Sequence, residues 1–79
     1  MDRPEIRVFT TLYHLRITIN GLLHFSLKLD DLVAIQSWIV ASGSYRIVYY
    51  TKTIEIVCEY DNRDNWQTIL KGLCAIDII

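Results

Sequence analysis

The sequence predicts an α+β fold: a two-layer sandwich in the order β-β-α-β-β-α, with a mostly antiparallel four-stranded sheet and two helices on one of its faces. Three observations predict it. Two stretches of apolar–polar alternation flank Asn20-Gly21. Two runs rich in β-branched and aromatic residues lie past mid-chain. A helical stripe lies near the C-terminal end.

In the first stretch, Phe9, Tyr13, Leu15, Ile17 and Ile19 alternate with Thr10, His14, Arg16 and Thr18, while Thr11 and Leu12 fall out of phase. This is the period of a half-buried strand running from Phe9 to Ile19. The second stretch sets Leu23, Phe25, Leu27 and Leu29 against His24, Ser26 and Lys28. Asn20-Gly21 between them is a strong hairpin signal. A two-residue turn there would pair Ile17 with His24, setting an apolar row against a polar one. A three-residue loop, Ile19-Asn20-Gly21, with Gly21 left-handed in a bulge, is therefore expected. It places Ile17 opposite Leu23, Leu15 opposite Phe25 and Tyr13 opposite Leu27.

Asp30 as N-cap and Asp31 in a first turn predict a helix carrying Leu32, Val33, Ile35, Trp38, Ile39 and Val40, apolar around most of its circumference and ended by Gly43. Tyr45 to Tyr50 and Ile54 to Tyr60 read as two more strands. Their best register sets Ile47 opposite Cys58 and Tyr49 opposite Ile56 on one face, and Arg46 opposite Glu59 and Val48 opposite Val57 on the other. Asp61 to Asp64 is turn and cap chemistry. Trp66, Ile69, Leu70, Leu73 and Cys74 then recur at i, i+3, i+4, i+7 and i+8, the spacing of one helix face. The tail Ile76-Asp77-Ile78-Ile79 is apolar. Arg16-Ile17 recurs as Arg46-Ile47, and Ile35-Gln36-Ser37-Trp38-Ile39 resembles Trp66-Gln67-Thr68-Ile69-Leu70, a loose internal repeat.

The 79 residues form one expected domain, 1–79. Apolar residues make up 52% of the chain, which excludes intrinsic disorder. No unbroken apolar run exceeds Leu32-Val33-Ala34-Ile35 in length, so no membrane span is expected. The net charge of −1 gives no global field for nucleic acid. The segment Met1-Asp2-Arg3-Pro4-Glu5 has no secretory character, and two cysteines, Cys58 and Cys74, form no metal or redox pattern; a reducing, cytoplasmic setting with free thiols is expected.

No catalytic residue, cofactor or metal site emerges. His14 and His24 project from the polar side of the first hairpin, roughly 7 Å apart and beside Arg16, too few ligands for zinc. Cys58 and Cys74 are expected to face the core, away from both histidines. No phosphate-cradling glycine loop or nucleophile-elbow motif exists. The outer sheet face is the informative region. Val48, Tyr50 and Val57, with Arg46, Glu55 and Glu59 around them, form a candidate partner surface. The chain is accordingly expected to be a small non-enzymatic interaction or regulatory module acting through protein–protein association, as a homodimer or with a protein partner. The alternative is a nucleic-acid-binding module using His14, Arg16, His24 and Lys28, against which the net charge counts.

Overall fold

The computed structural model describes residues 3–79; Met1 and Asp2 of the N-terminal segment lie outside the described residues. Among the described residues there are six strands and one α-helix: β1 (Ile6–Thr10), β2 (His14–Ile19), β3 (Leu22–Lys28), β4 (Leu32–Ile39), β5 (Tyr45–Thr51), β6 (Glu55–Tyr60) and α1 (Arg63–Ala75). The strands make two three-stranded antiparallel sheets, β1-β2-β3 and β4-β5-β6. The expected four-stranded sheet with two helices on one face is therefore replaced by two sheets and one helix.

The main correction concerns Leu32 to Ile39, expected as a helix and found as β4. Asp30 and Asp31 cap nothing longer than a single 3-10 turn, Leu29–Asp31, with no side-chain cap hydrogen bond. Val33, Ile35, Trp38 and Ile39 are β-branched or aromatic, and such side chains suit a pleated surface. The strand finds its partner in β5, with a bulge at Val33, pairing Ile35 with Tyr49, Gln36 with Val48 and Trp38 with Arg46. Gly43, at φ +93°, forms the β4–β5 turn instead of ending a helix; its N–H donates to the Val40 carbonyl, and the Val40 N–H to that of Ser44. Since Ile35 to Ile39 is strand and Trp66 to Leu70 is helix, their likeness reflects no duplicated unit.

The second correction divides the first expected strand in two. The chain reverses at Thr11–Tyr13, where the alternation fails. The Thr11 N–H donates to the His14 carbonyl, and the His14 N–H to Thr11 Oγ1. Leu12 and Tyr13 stand exposed at the tip.

The third concerns the first hairpin. The turn at Asn20-Gly21 has two residues after all: both have positive φ, 51° and 79°, as a type I′ turn requires. It pairs Ile19 with Leu22 and Thr18 with Leu23, and a bulge with His24 as the extra residue then shifts the register, so that Ile17 meets Phe25 and Leu15 meets Leu27. The conflict of faces is thus resolved on β3 rather than in the loop. Asn20 also holds the entry to β1: its Oδ1 accepts from the Glu5 N–H, and its own N–H donates to the Glu5 carbonyl.

The expected β5–β6 register occurs residue for residue, including Arg46 opposite Glu59. The inner faces of the two sheets share one core of Leu15, Ile17, Phe25, Leu27, Ile47, Tyr49 and Tyr60, into which α1 inserts Ile69 and Leu73. Phe25 stacks on Tyr49 across the sheets, with ring centroids 4.2 Å apart. Asn62 caps α1 by accepting from the Asn65 N–H. At its end the Ile78 N–H donates to the Leu73 carbonyl and the Asp77 N–H to that of Cys74, with Asp77 at φ +58°. These are the two hydrogen bonds of a Schellman cap, and they fold Ile76 and Ile78 back against the core. The helix of 13 residues is too short to cross a membrane, and no described helix is long and apolar enough to do so.

α1 closes the sandwich by lying directly on β1. A Cβ on Gly72 would sit 2.6 Å from Val8 Cβ, so the helix approaches as near as it does because position 72 has no side chain. Gly72→Ala gains helix propensity of about 1 kcal/mol but overpacks this contact, at a cost of roughly 1–3 kcal/mol. We expect the clash to win and the midpoint of urea unfolding to fall; a raised midpoint would contradict so close a contact.

Candidate functional site

The outer face of the second sheet carries the expected partner surface, with β4 as its unexpected third strand. Three cross-strand rows build it: Trp38–Arg46–Glu59, Gln36–Val48–Val57 and Ala34–Tyr50–Glu55. The Arg46 guanidinium bridges the first row. Its Nε donates to Glu59 Oε1 at 3.1 Å, its Nη2 reaches the same oxygen, and its Cζ lies 5.7 Å from the Trp38 ring centroid. The Tyr50 hydroxyl donates to Gln36 Oε1 at 3.0 Å. Val48, at the middle of this lattice, is only 2% exposed, while Val57 stands open and Tyr50 is half-buried. Of the anticipated apolar centre, Val48 is therefore buried, beside the strand expected as a helix, and Val57 remains open. Trp38, which flanks it, was missed as a surface residue for the same reason.

The opposite outer face belongs to the first sheet. Arg16 lies between Phe9 and Ser26, and His14 opposite Lys28. β1 adds two residues that sequence reasoning did not place there: Arg7 and Phe9, with the Arg7 guanidinium 5.7 Å from the ring centroid. The signal for Arg7 was its alternation with Ile6 and Val8, upstream of the expected start at Phe9; Phe9 itself was expected in the apolar row and stands instead opposite Arg16. Tyr13, His14, Lys28 and Asp30 line an open cleft of about 250 Å³ at the end of this face.

His24 does not join that face. As the bulged residue it sits at the rim between the sheets, its Nε2 2.8 Å from the Tyr60 hydroxyl. Tyr60 in turn neighbours Cys58. Burial pushes the Cys58 thiol above its ordinary range, and a hydrogen bond with Tyr60 offsets part of this. The Tyr60 hydroxyl is also raised, by burial first and then by Cys58. His24 therefore meets a protonated phenol rather than a thiol, and this row lacks the activated thiolate that cysteine chemistry requires. Cys74, expected in the core, is exposed on α1. Among the described residues, no group of three or more His, Cys, Asp or Glu side chains is placed to hold a metal ion.

The third feature is an edge. Among the described residues, β4 pairs with β5 on one side and with no strand on the other. It leaves Val33 64%, Trp38 39% and Ile39 59% exposed, and from Leu32 to Tyr45 the sequence contains neither a charge nor a proline. Edge strands normally carry such guards against pairing with another chain. β4 has a single bulge, at Val33 near its start, whereas β1 lies under α1 at Gly72, β3 carries a bulge and ends in Lys28, and β6 presents Glu55 and Glu59.

The two thiols give a direct check on this arrangement. In the native protein a thiol reagent should label Cys74 rapidly and Cys58 slowly. Below its raised pKa, Cys58 labelling should quicken about tenfold per pH unit as thiolate forms. Equal, fast labelling of both at neutral pH would contradict the burial of Cys58. No protein-family description, curated protein or solved structure matches this chain.

Proposed function

We propose that this chain is a small non-enzymatic interaction module that works by protein–protein association, with the β4 edge as its docking element and the outer face of β4, β5 and β6 beside it. The open, uncharged edge supports this reading above all: from Ala34 to Ile39, past the bulge at Val33, the strand has a hydrogen-bonded neighbour on one side only among the described residues, and Trp38 and Ile39 are exposed along it. A second chain adding there gains main-chain hydrogen bonds from the backbone and specificity from alternate side chains. The free thiols of Cys58 and Cys74 agree with a reducing, cytoplasmic setting.

The test uses tagged full-length chain in an extract of its native cell. The native chain should migrate in an assembly larger than its own 9.3 kDa. Ile39→Lys, a change at an exposed position worth within about 0.5 kcal/mol of fold stability, should release it as a free chain. Migration of the native chain as a lone monomer would end this reading, as would an assembly untouched by Ile39→Lys.

A second reading, nucleic-acid binding through the first sheet, is favoured by Arg7 and Phe9 joining Arg16, His14 and Lys28 on one face. Stacking on an aromatic ring and backbone neutralisation by cations are the means by which such faces hold single strands. Arg16→Glu with Lys28→Glu should then weaken oligonucleotide binding and flatten its salt dependence. Absence of any shift with mixed oligonucleotides at low salt would remove this reading.

A further inference from the structure

We propose that Arg16 anchors an oxyanion site on the outer face of the first sheet, and that its ligand is a phosphate of a single-stranded nucleic acid. This rests on the second reading above, in which that face holds nucleic acid, and it assigns the central contact and the form of the ligand. The two sheets hold one residue pair in the same place. Arg16-Ile17 on β2 and Arg46-Ile47 on β5 each sit on a middle strand, with the isoleucine fully buried and the arginine on the outer face. Their surroundings differ. The Arg46 guanidinium turns two nitrogens to Glu59 and lies near the Trp38 ring. Arg16 stands between Phe9 and Ser26. Among the described residues it makes no ion pair, and its Nε is buried without an acceptor. A buried donor left unpaired costs stability rather than adding it, so the described fold makes no use of the charge at position 16.

The strands around Arg16 point to the ligand. β1, β2 and β3 contain Arg7, Arg16 and Lys28 and no carboxylate. Residues 1–29 carry a net charge of +2, four cations against two carboxylates, and residues 30–79 carry −3, four against seven. The overall charge of −1 therefore coexists with a positive field over this face. The three cations lie on one diagonal, each step crossing one strand and two residues, which spaces them about 8 Å apart. An extended chain laid along that line meets a cation at each step, with Arg16 in the middle. Arginine grips phosphate through two parallel N–H groups. Phe9 makes the chain a single strand. Its half-buried ring lies beside Arg16, with the Arg7 guanidinium 5.7 Å from the ring centroid. Bases stack on aromatic rings and guanidinium planes alike, and only an unpaired, splayed base reaches them.

The full chain tests this by titration with a labelled mixed-sequence single strand, with its duplex and with phosphatidylserine vesicles, each over a series of salt concentrations. The single strand should bind most tightly, with a log–log salt slope of about −2 for three phosphates. Arg16→Gln should weaken it by about tenfold or more, lower the slope to about −1.4, and leave the urea midpoint equal or raised. Arg16→Lys should keep the slope and lose part of the affinity. Phe9→Leu should weaken binding by about fivefold or more at an unchanged slope. Arg46→Gln, the control, should lower the urea midpoint and leave binding unchanged. Oligonucleotide binding unmoved by Arg16→Gln overturns the anchor while the face remains a nucleic-acid site. A urea midpoint that falls as far for Arg16→Gln as for Arg46→Gln overturns it too. Duplex bound as tightly as the single strand, or Phe9→Leu without effect, overturns the single-strand assignment. Binding to vesicles alone, or to none of the three probes, removes the proposal together with the reading it rests on.

Discussion

The stack of Phe25 on Tyr49 joins the two halves of the chain, and the other elements take their places around it. Tyr49 lies on the central strand of the second sheet and is fully buried. Its hydroxyl has no hydrogen-bond partner among the described residues, and burial holds its pKa far above the ordinary phenol range. A buried polar group without a partner costs on the order of 1–3 kcal/mol, so the ring must return more than that through packing. It does so against Phe25 on one side and the aliphatic layer of Leu15, Ile17, Ile47, Ile69 and Leu73 around it. That layer requires the inner faces of both sheets to be apolar in register. The bulge at His24 supplies that register on β3: without it, the type I′ turn would send Phe25 and Leu27 outward.

Parts of this were legible in the sequence and parts were not. The β5–β6 register could be read because both faces constrain it at once: aliphatic residues must meet aliphatic ones, and Arg46 must meet Glu59. The helical stripe from Trp66 to Leu73 could be read because no strand period fits it. Cys74 belongs to the same arc yet is exposed, because α1 rests on β1 along a narrower line than the stripe suggests. β4 could not be read from periodicity. A strand apolar on both faces has no period-2 signal, and over so short a run it resembles a covered helix. The acidic pair before it and the glycine after it then completed a false helix signature.

The candidate surfaces were legible only where the strands were. Arg46, Glu59 and Val57 stand where the sequence placed them, on the outer face of the second sheet. Val48 was predicted to be part of the surface and is buried, standing between Val57 and Gln36, the latter on a strand not foreseen. His24 was predicted beside Arg16 and stands instead at Tyr60, because one bulged residue turns a side chain without altering composition or spacing.

The exposed edge follows from the size of the chain. Two three-stranded sheets have four edges, and the described residues provide one α-helix with which to cover them. α1 takes the β1 side, where Gly72 lets it settle against Val8 and where its capped end draws Ile76 and Ile78 inward. The link from β3 to β4 is a single 3-10 turn, too short to fold back over either strand. Charge guards β6, and β3 has its bulge and Lys28; β4 has a bulge at Val33 but no charge, so the least guarded length runs from Ala34 to Ile39. A strand in that place would ordinarily gain a lysine or a proline at little cost in stability, since its outer positions pack against nothing beyond β5. Its lack of both across Leu32 to Ile39 separates the apolar residues the core requires, Leu32 and Ile35, from those it does not, Val33, Trp38 and Ile39. The second group contributes little to the fold of a single chain, and it is on this group that association through β4 would act.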